Sequence, residues 1–413
     1  MRKTTGGDQQ ATAVGSLGSA RAFSGMSAFL LGGALGTLVG WRPIFLVTLG
    51  LAVLVFIFSF KLRSDRGNKQ VKVDLLASVL IGVAIVLLTM GFNNLNAWGV
   101  FRATADAPFS IGTLSPALLF VVVGVICGQL FFMRTRSRMR QGLEPLVDLS
   151  VFANPTERSA VYAMFIIVAM EAAVNFTVPT YIQVVQGRTP FDTSLAMMPF
   201  NLTVFITATL IVRFYKRYSP RTIVLFSFGL TTTALIWLSL VVTNNWETLP
   251  TIIGLIVFGI GQGALVTLVF NVLVTAVPKS LAGDVGSLRG TTQNLASAVG
   301  AAVMGAVLVT TLSFGITSTV NNHPDLPEEL VAQVDLDNVN FVSNDDLRAV
   351  LDGTTATEQQ IELAVELNEQ QRLQTLKIGF LILAGLSAVA AIPSSRLPRY
   401  RPSEIPEPDN VKD

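Results

Sequence analysis

Glu171 is the one acid well inside a strongly apolar stretch of this 413-residue sequence, about halfway along the segment that begins near Ser159. A carboxylate at that depth in hydrocarbon costs several kcal/mol unless it is protonated, paired or wetted, so such a residue is read first as a functional group. Asn175 follows at i+4 and Pro179 at i+8, which puts all three on one helical face. The chemistry this spacing allows is proton binding and release beside a polar lining. A protonated glutamic acid that only hydrogen-bonds a neighbouring helix is the alternative left open.

Other polar residues inside apolar segments are lesser candidates for the same proton or substrate site. Arg21 lies in the inner half of the first segment amid Gly15, Ser16, Gly18, Ser19, Ser24 and Gly25, where it either faces a cavity or snorkels to the surface. Gly263, Thr267 and Asn271 recur every four residues, as do Gln293, Ser297 and Ala301. Such stripes serve helix packing more often than ligand binding. Gln183 and Gln186 sit near a helix end, where water alone satisfies an amide. The candidate proton- or substrate-binding set is therefore Glu171, Asn175, Arg21, Asn271 and Gln293.

Other chemistries are excluded early. One cysteine, Cys127, and one histidine, His323, give no disulfide framework, metal cluster or histidine triad. The sequence holds no phosphate-binding Gly-Lys-Ser/Thr loop, zinc-protease helix motif or Gly-x-Ser-x-Gly elbow, so neither an enzyme nor an ATP-driven pump is expected, and no cofactor or metal is implied. The basic runs at 61–73 and 134–140 lack the aromatic partners of a nucleic-acid surface and read as topogenic charges that attract anionic lipid.

The elements that must hold these residues follow from composition. Hydrophobic residues make up 51% of the chain and charged residues 14%, against roughly 25% charged in a soluble domain. The fold class is an all-α integral membrane protein, a polytopic bundle of about ten transmembrane helices: 14–39, 43–60, 74–92, 113–133, 159–182, 192–212, 222–242, 249–273, 290–314 and 376–393. Kinks are expected near Pro179 and Pro199. Lys61, Arg63, Arg66, Lys69 and Lys72, then Arg134 to Arg158, then Arg213, Lys216, Arg217 and Arg221 fall in alternate loops, which with both termini inside all lie in the cytoplasm. The 315–374 loop carries twelve acids against Arg348 and Arg372 and is assigned outside. Within it, 357–374 reads as a short amphipathic surface helix. No signal peptide is evident at the N-terminus.

Several stretches then stand in a telling order. Gly32-Gly33 is followed by Gly40-Trp41-Arg42-Pro43-Ile44-Phe45. Next comes the run Leu143-Glu144-Pro145-Leu146-Val147-Asp148 to Phe152, and then Tyr181-Ile182-Gln183-Val184-Val185-Gln186-Gly187 with Met198-Pro199. Last is Gly259-x-Gly261-x-Gly263 with Asn271, Pro278 and Gly283. Together they resemble fourteen-helix drug:proton antiporters of the major facilitator superfamily. Where that family's fifth helix places a Gly-Pro pair before its double glycine, this chain has Ala28 and Phe29.

The resemblance implies a chain that begins at the family's fifth helix, without the first four. Residues 1–60 would be the last two helices of the N-terminal half-bundle, and 61–158 two inserted helices with cytoplasmic linkers. Residues 159–393 would be the C-terminal six-helix half-bundle with the extracytoplasmic loop 315–374, and 394–413 a cytoplasmic tail. It also implies a secondary active transporter of the cell (inner or plasma) membrane, exporting amphipathic or drug-like small molecules, with protons and the lipid bilayer as its other partners. A facilitator without proton coupling is a variant of that reading. The rival is a truncated, transport-inactive membrane protein that acts as scaffold or partner and self-associates.

Overall fold

The computed structural model describes residues 6–61, 74–104, 107–143, 145–147, 155–215, 217–275, 282–322, 344–354 and 356–397. In order these form α1 (Gly6–Val39), α2 (Trp41–Ser59), α3 (Leu75–Asn93), the single turn α4 (Leu95–Trp98), α5 (Pro116–Arg140), α6 (Pro155–Thr180), α7 (Pro190–Tyr215), α8 (Pro220–Val241), α9 (Leu249–Thr275), α10 (Ala282–Asn322), α11 (Asn344–Leu351) and α12 (Glu358–Ser394). A π-helical turn, Tyr181–Val185, extends α6. Among the described residues the sole β features are isolated bridges, Arg102 with Leu114 and Ile111 with Leu114, between α4 and α5.

Nine described helices are long and apolar enough to cross a membrane, and α1 adds the shorter apolar stretch Phe23–Val39. The amphipathic helix expected over 357–374 and the last span are one helix: α12 runs unbroken for 37 residues, about 55 Å at 1.5 Å per residue. The 41-residue α10 is of similar reach. Both are far longer than a hydrocarbon core of about 30 Å, and their hydrophilic ends meet where Gln371 approaches Gly315.

Local sequence sets the boundaries. Gly40 joins α1 to α2 at φ +78°, a left-handed conformation that glycine adopts without a Cβ penalty. Ser115 and Ser219 cap α5 and α8 through the amides of Ala117 and Thr222, each with a proline at the first helical position. Thr357 and Gln360 form a reciprocal capping box on α12. At the start of α3 the Asp74 side chain accepts from the Ala77 amide and takes a bidentate hydrogen bond from Arg134 at 2.8–3.1 Å. That bond holds the Asp74 carboxyl below the usual carboxylate range.

Lipid supplies no hydrophobic drive between helices, so contact depends on close backbone approach. α6 packs most extensively on α10, α8 on α9 and α12, α7 on α9 and α1, and α3 on α5. Glycines sit where these surfaces touch. A Cβ on Gly300 would stand 2.2 Å from the Ala169 carbonyl oxygen, and one on Gly91 2.9 Å from that of Ala117. α2 buries none of its residues. The core divides along the bundle axis. One cluster gathers Met170, Val174, Tyr181, Phe200, Trp246, Phe258 and Phe380, and the other Ala163, Ile167, Phe228, Leu268, Val272 and Ala390. Arg158, Arg213 and Arg221 on α6, α7 and α8 lie close in sequence to residues of the second cluster, and the end they mark is termed the basic end below.

Candidate functional site

Glu171 lies sixteen residues past the start of the 26-residue α6 and is half-buried, with its Oε2 shut off from solvent. Asn175 sits one turn further on and its buried Oδ1 has no hydrogen-bond partner. An acceptor left so costs about 1–3 kcal/mol and is disposed to take a donor from a ligand or water. Pro179, another turn on, has no N–H to give the Asn175 carbonyl. The helix does not continue in α form beyond Thr180. It widens into the π turn, closed by the Gln186 amide to the Tyr181 carbonyl at 3.2 Å. π turns inside helices often mark functional positions. Pro199 stands inside α7, which remains one helix through it.

The glycines of 259–263 have a physical role. A Cβ at Gly259 would lie 2.8 Å from the Phe200 carbonyl oxygen, at Gly263 2.7 Å from that of Val204, and at Gly261 2.9 Å from that of Ser227. α9 is thereby wedged between α7 and α8. The intervening Gln262 points toward α6: it is fully buried and its Nε2 donates 2.8 Å to the Ile167 carbonyl. Its Oε1 has no partner. Gln262 was not among the residues singled out from sequence, although its place between three glycines was the available signal.

Gln293, a sequence candidate, lines a small cavity between α6, α9 and α10 together with Met164, Val168, Phe270 and Arg289. The Arg289 guanidinium rests 3.6 Å from the centre of the Phe270 ring. Arg21 and Asn271 fall within α1 and α9, but their side chains lie outside the described residues, as do most of 143–152 and Pro278. Glu171, Asn175 and Gln293 thus share the region around α6, while Gln183 lies beyond it in the π turn.

A second polar group closes the opposite end of the bundle. Tyr181 Oη donates 2.6 Å to Asn244 Oδ1, Gln186 Nε2 donates 2.7 Å to the Asn244 carbonyl, and Asn244 Nδ2 donates to Glu369. Asn344 Nδ2 donates 3.2 Å to the other Glu369 oxygen. The fully buried Arg372 donates to Asn344 Oδ1 at 2.9 Å and to Asn368 Oδ1 at 2.6 Å. The network ties the π turn to the α8–α9 loop, α11 and α12. From sequence, Arg372 was visible only as one of two cations among twelve acids.

Where α1 crosses α7, the Ser194 hydroxyl donates 2.8 Å to the Phe29 carbonyl, and the Phe191 amide donates 3.1 Å to Thr37 Oγ1. Gly33 lies in the crossing, with Ser194 Oγ only 2.0 Å from where its Cβ would be. The double glycine that suggested a family thus makes a real interhelical seam.

The family model described as Major Facilitator Superfamily matches residues 1–301. The chain belongs to that superfamily. Its members are membrane transporters, not enzymes, and this member is an all-α, multi-span membrane protein. It is 23% identical over 361 residues to the drug efflux pump JefA of Mycobacterium tuberculosis, a match covering 86% of the chain and 66% of the relative. It is 25% identical over 317 residues to the multidrug resistance protein Stp of the same species, covering 75% and 55%. It is also 25% identical over 297 residues to the lincomycin resistance protein LmrB of Listeria monocytogenes, covering 71% and 58%. The superfamily member described here spans less than two thirds of the length of these relatives.

Proposed function

We propose that this chain acts as a secondary active transporter that exports amphipathic, drug-like small molecules in exchange for protons, with Glu171 as the group that is protonated. The observation that carries the reading is the placement of Glu171 within α6, its Oε2 shut from solvent, one turn from the unpartnered acceptor of Asn175. The names of the relatives, a drug efflux pump and two resistance proteins, support the substrate class. Protonation neutralises a costly intramembrane charge, and deprotonation leaves a site that attracts a cationic substrate. Proton and substrate then compete for one position, and each shifts the balance between two states of the bundle.

In this reading the basic end faces the cytoplasm by the positive-inside rule, and α11 with the first turns of α12 faces outward. In a Cys127→Ser background, an impermeant thiol reagent added to intact cells labels Glu358→Cys and spares Lys61→Cys. Reversed labelling inverts the orientation. The functional test is Glu171→Gln. Export of a lipophilic cation driven by an inward proton gradient stops while the variant still reaches the membrane in normal amount. Export at the parental rate removes Glu171 from the mechanism.

A further inference from the structure

Three features converge one turn from Glu171 on the side of the basic end. The first is the cavity lined by Met164 and Val168 of α6, Phe270 of α9 and Arg289 and Gln293 of α10. Its interior of about 10 Å³ is at the lower bound of what admits one water. The second is Gln262, which adjoins this space: Val266, one turn on from it along α9, lines the cavity, and so does Ile167, whose carbonyl it bonds. In a regular helix that carbonyl accepts from the amide of Glu171, so Gln262 grips the backbone turn that carries the acid. The third is the buried, unpartnered Oε1 of Gln262 in a residue with no exposed surface.

A fully buried amide with a spare acceptor is costly to maintain in a membrane helix, and a water that donates to it removes the cost. We propose that Gln262 and Gln293 bracket an access route, with room for a single water between them, through which Glu171 exchanges its proton with the basic end of the bundle. The inference rests on Glu171 being the protonated group and deepens that reading. The carboxyl gives its proton to a water held at Gln262 Oε1, and hydrogen-bonded water past Gln293 hands a proton onward. The water releases one proton onward as it takes one from the carboxyl, so it stays neutral and Glu171 is left with the changed charge. Gln262 is a positioning residue that orients the first water, and its amide gains and loses no proton.

Arg289 is the charged side chain that lines the cavity among the described residues. α9 brings no charged side chain, α10 brings Arg289 at the cavity with its cation on the Phe270 face, and α12 brings Glu358, Glu362, Glu366, Glu369, Arg372 and Lys377. Glu369 and Arg372 belong to the network at the opposite end.

The test uses the purified 413-residue protein in lipid films, by infrared spectroscopy of the protonated carboxyl stretch. The band lost in Glu171→Gln is that of Glu171, and its shift on transfer to D2O reports proton access without any transport step. Gln262→Leu and Gln293→Leu are expected to slow that shift by about ten-fold or more, because each replaces a polar step with hydrocarbon. Gln262→Asn restores most of the rate, and Gln186→Leu at the far end leaves it unchanged. Wild-type exchange in both leucine variants overturns the route, as does slowing by Gln186→Leu alone, while the Glu171 reading then stands. A spectrum in which Glu171→Gln removes no band overturns both.

Discussion

Ser194 on α7 holds the main chain of α1 through the Phe29 carbonyl at 2.8 Å, directly beside Gly33. The double glycine is therefore two unlike positions. A Cβ at Gly33 would fall 2.0 Å from Ser194 Oγ and 2.8 Å from the Pro190 carbonyl oxygen, whereas one at Gly32 meets nothing within 4 Å. Gly33→Ala should cost about 1–3 kcal/mol by forcing the helices apart. Gly32→Ala should be neutral or stabilising by up to about 1 kcal/mol, since alanine is the better helix former. Thermal unfolding of the two variants in the same detergent separates them, and equal midpoints would mean that α1 does not cross α7 here.

Asp74 and Arg134 pin the ends of α3 and α5 together, with Arg138 3.5 Å from the same carboxylate. The folded-state pKa of Asp74 is depressed, chiefly by the Arg134 hydrogen bond. Its contribution is therefore present at and above the ordinary carboxylate pKa of about 3.9 and is lost as pH falls through the lower folded value. Asp74→Asn should lower the unfolding temperature at neutral pH, and the gap from wild type should close only in acid below the ordinary carboxylate range. A gap that closes between pH 5 and 7 would contradict the assignment. Arg134→Lys should reproduce part of the destabilisation, since a lysine keeps the charge but cannot make the bidentate contact.

Arg372 is fully buried and feeds Asn344 and Asn368. Arg372→Leu strips both amides of a charged donor and leaves Glu369 near the gap, a loss of about 2–5 kcal/mol. Because the network fastens α11 onto the bundle, limited proteolysis should cut the 344–357 segment faster in the variant. Unchanged cleavage would show that α11 is held by Leu351, Ile361 and Val365 alone, which form their own apolar cluster.

Much of the fold was legible from sequence because a membrane span is written in length and hydropathy: α2, α3 and α5 to α9 fall within several residues of the expected spans. The starts of α10 and α12 were not legible by that rule. Their polar ends continue as helix where hydropathy fails, as at Thr357, whose capping box fixes the true beginning of α12. At the site, Glu171 and Asn175 declared themselves as polar groups at one helical interval. Gln262 did not, because its meaning depends on which way three glycines turn α9. Arg372 was hidden for a similar reason: its partners Asn344 and Asn368 come from two helices, one of them unpredictable from hydropathy.

The central claim is that the intramembrane carboxylate of Glu171 couples a proton to substrate movement. Purified protein and Glu171→Gln, reconstituted at equal density in liposomes with an imposed pH gradient, provide the direct measurement through uptake of a fluorescent lipophilic cation. The account predicts uptake that collapses with the gradient in the parent, and no gradient-dependent uptake in the variant. Equal gradient-driven uptake by both would contradict the role of Glu171, and no uptake by either would favour a membrane scaffold over a transporter.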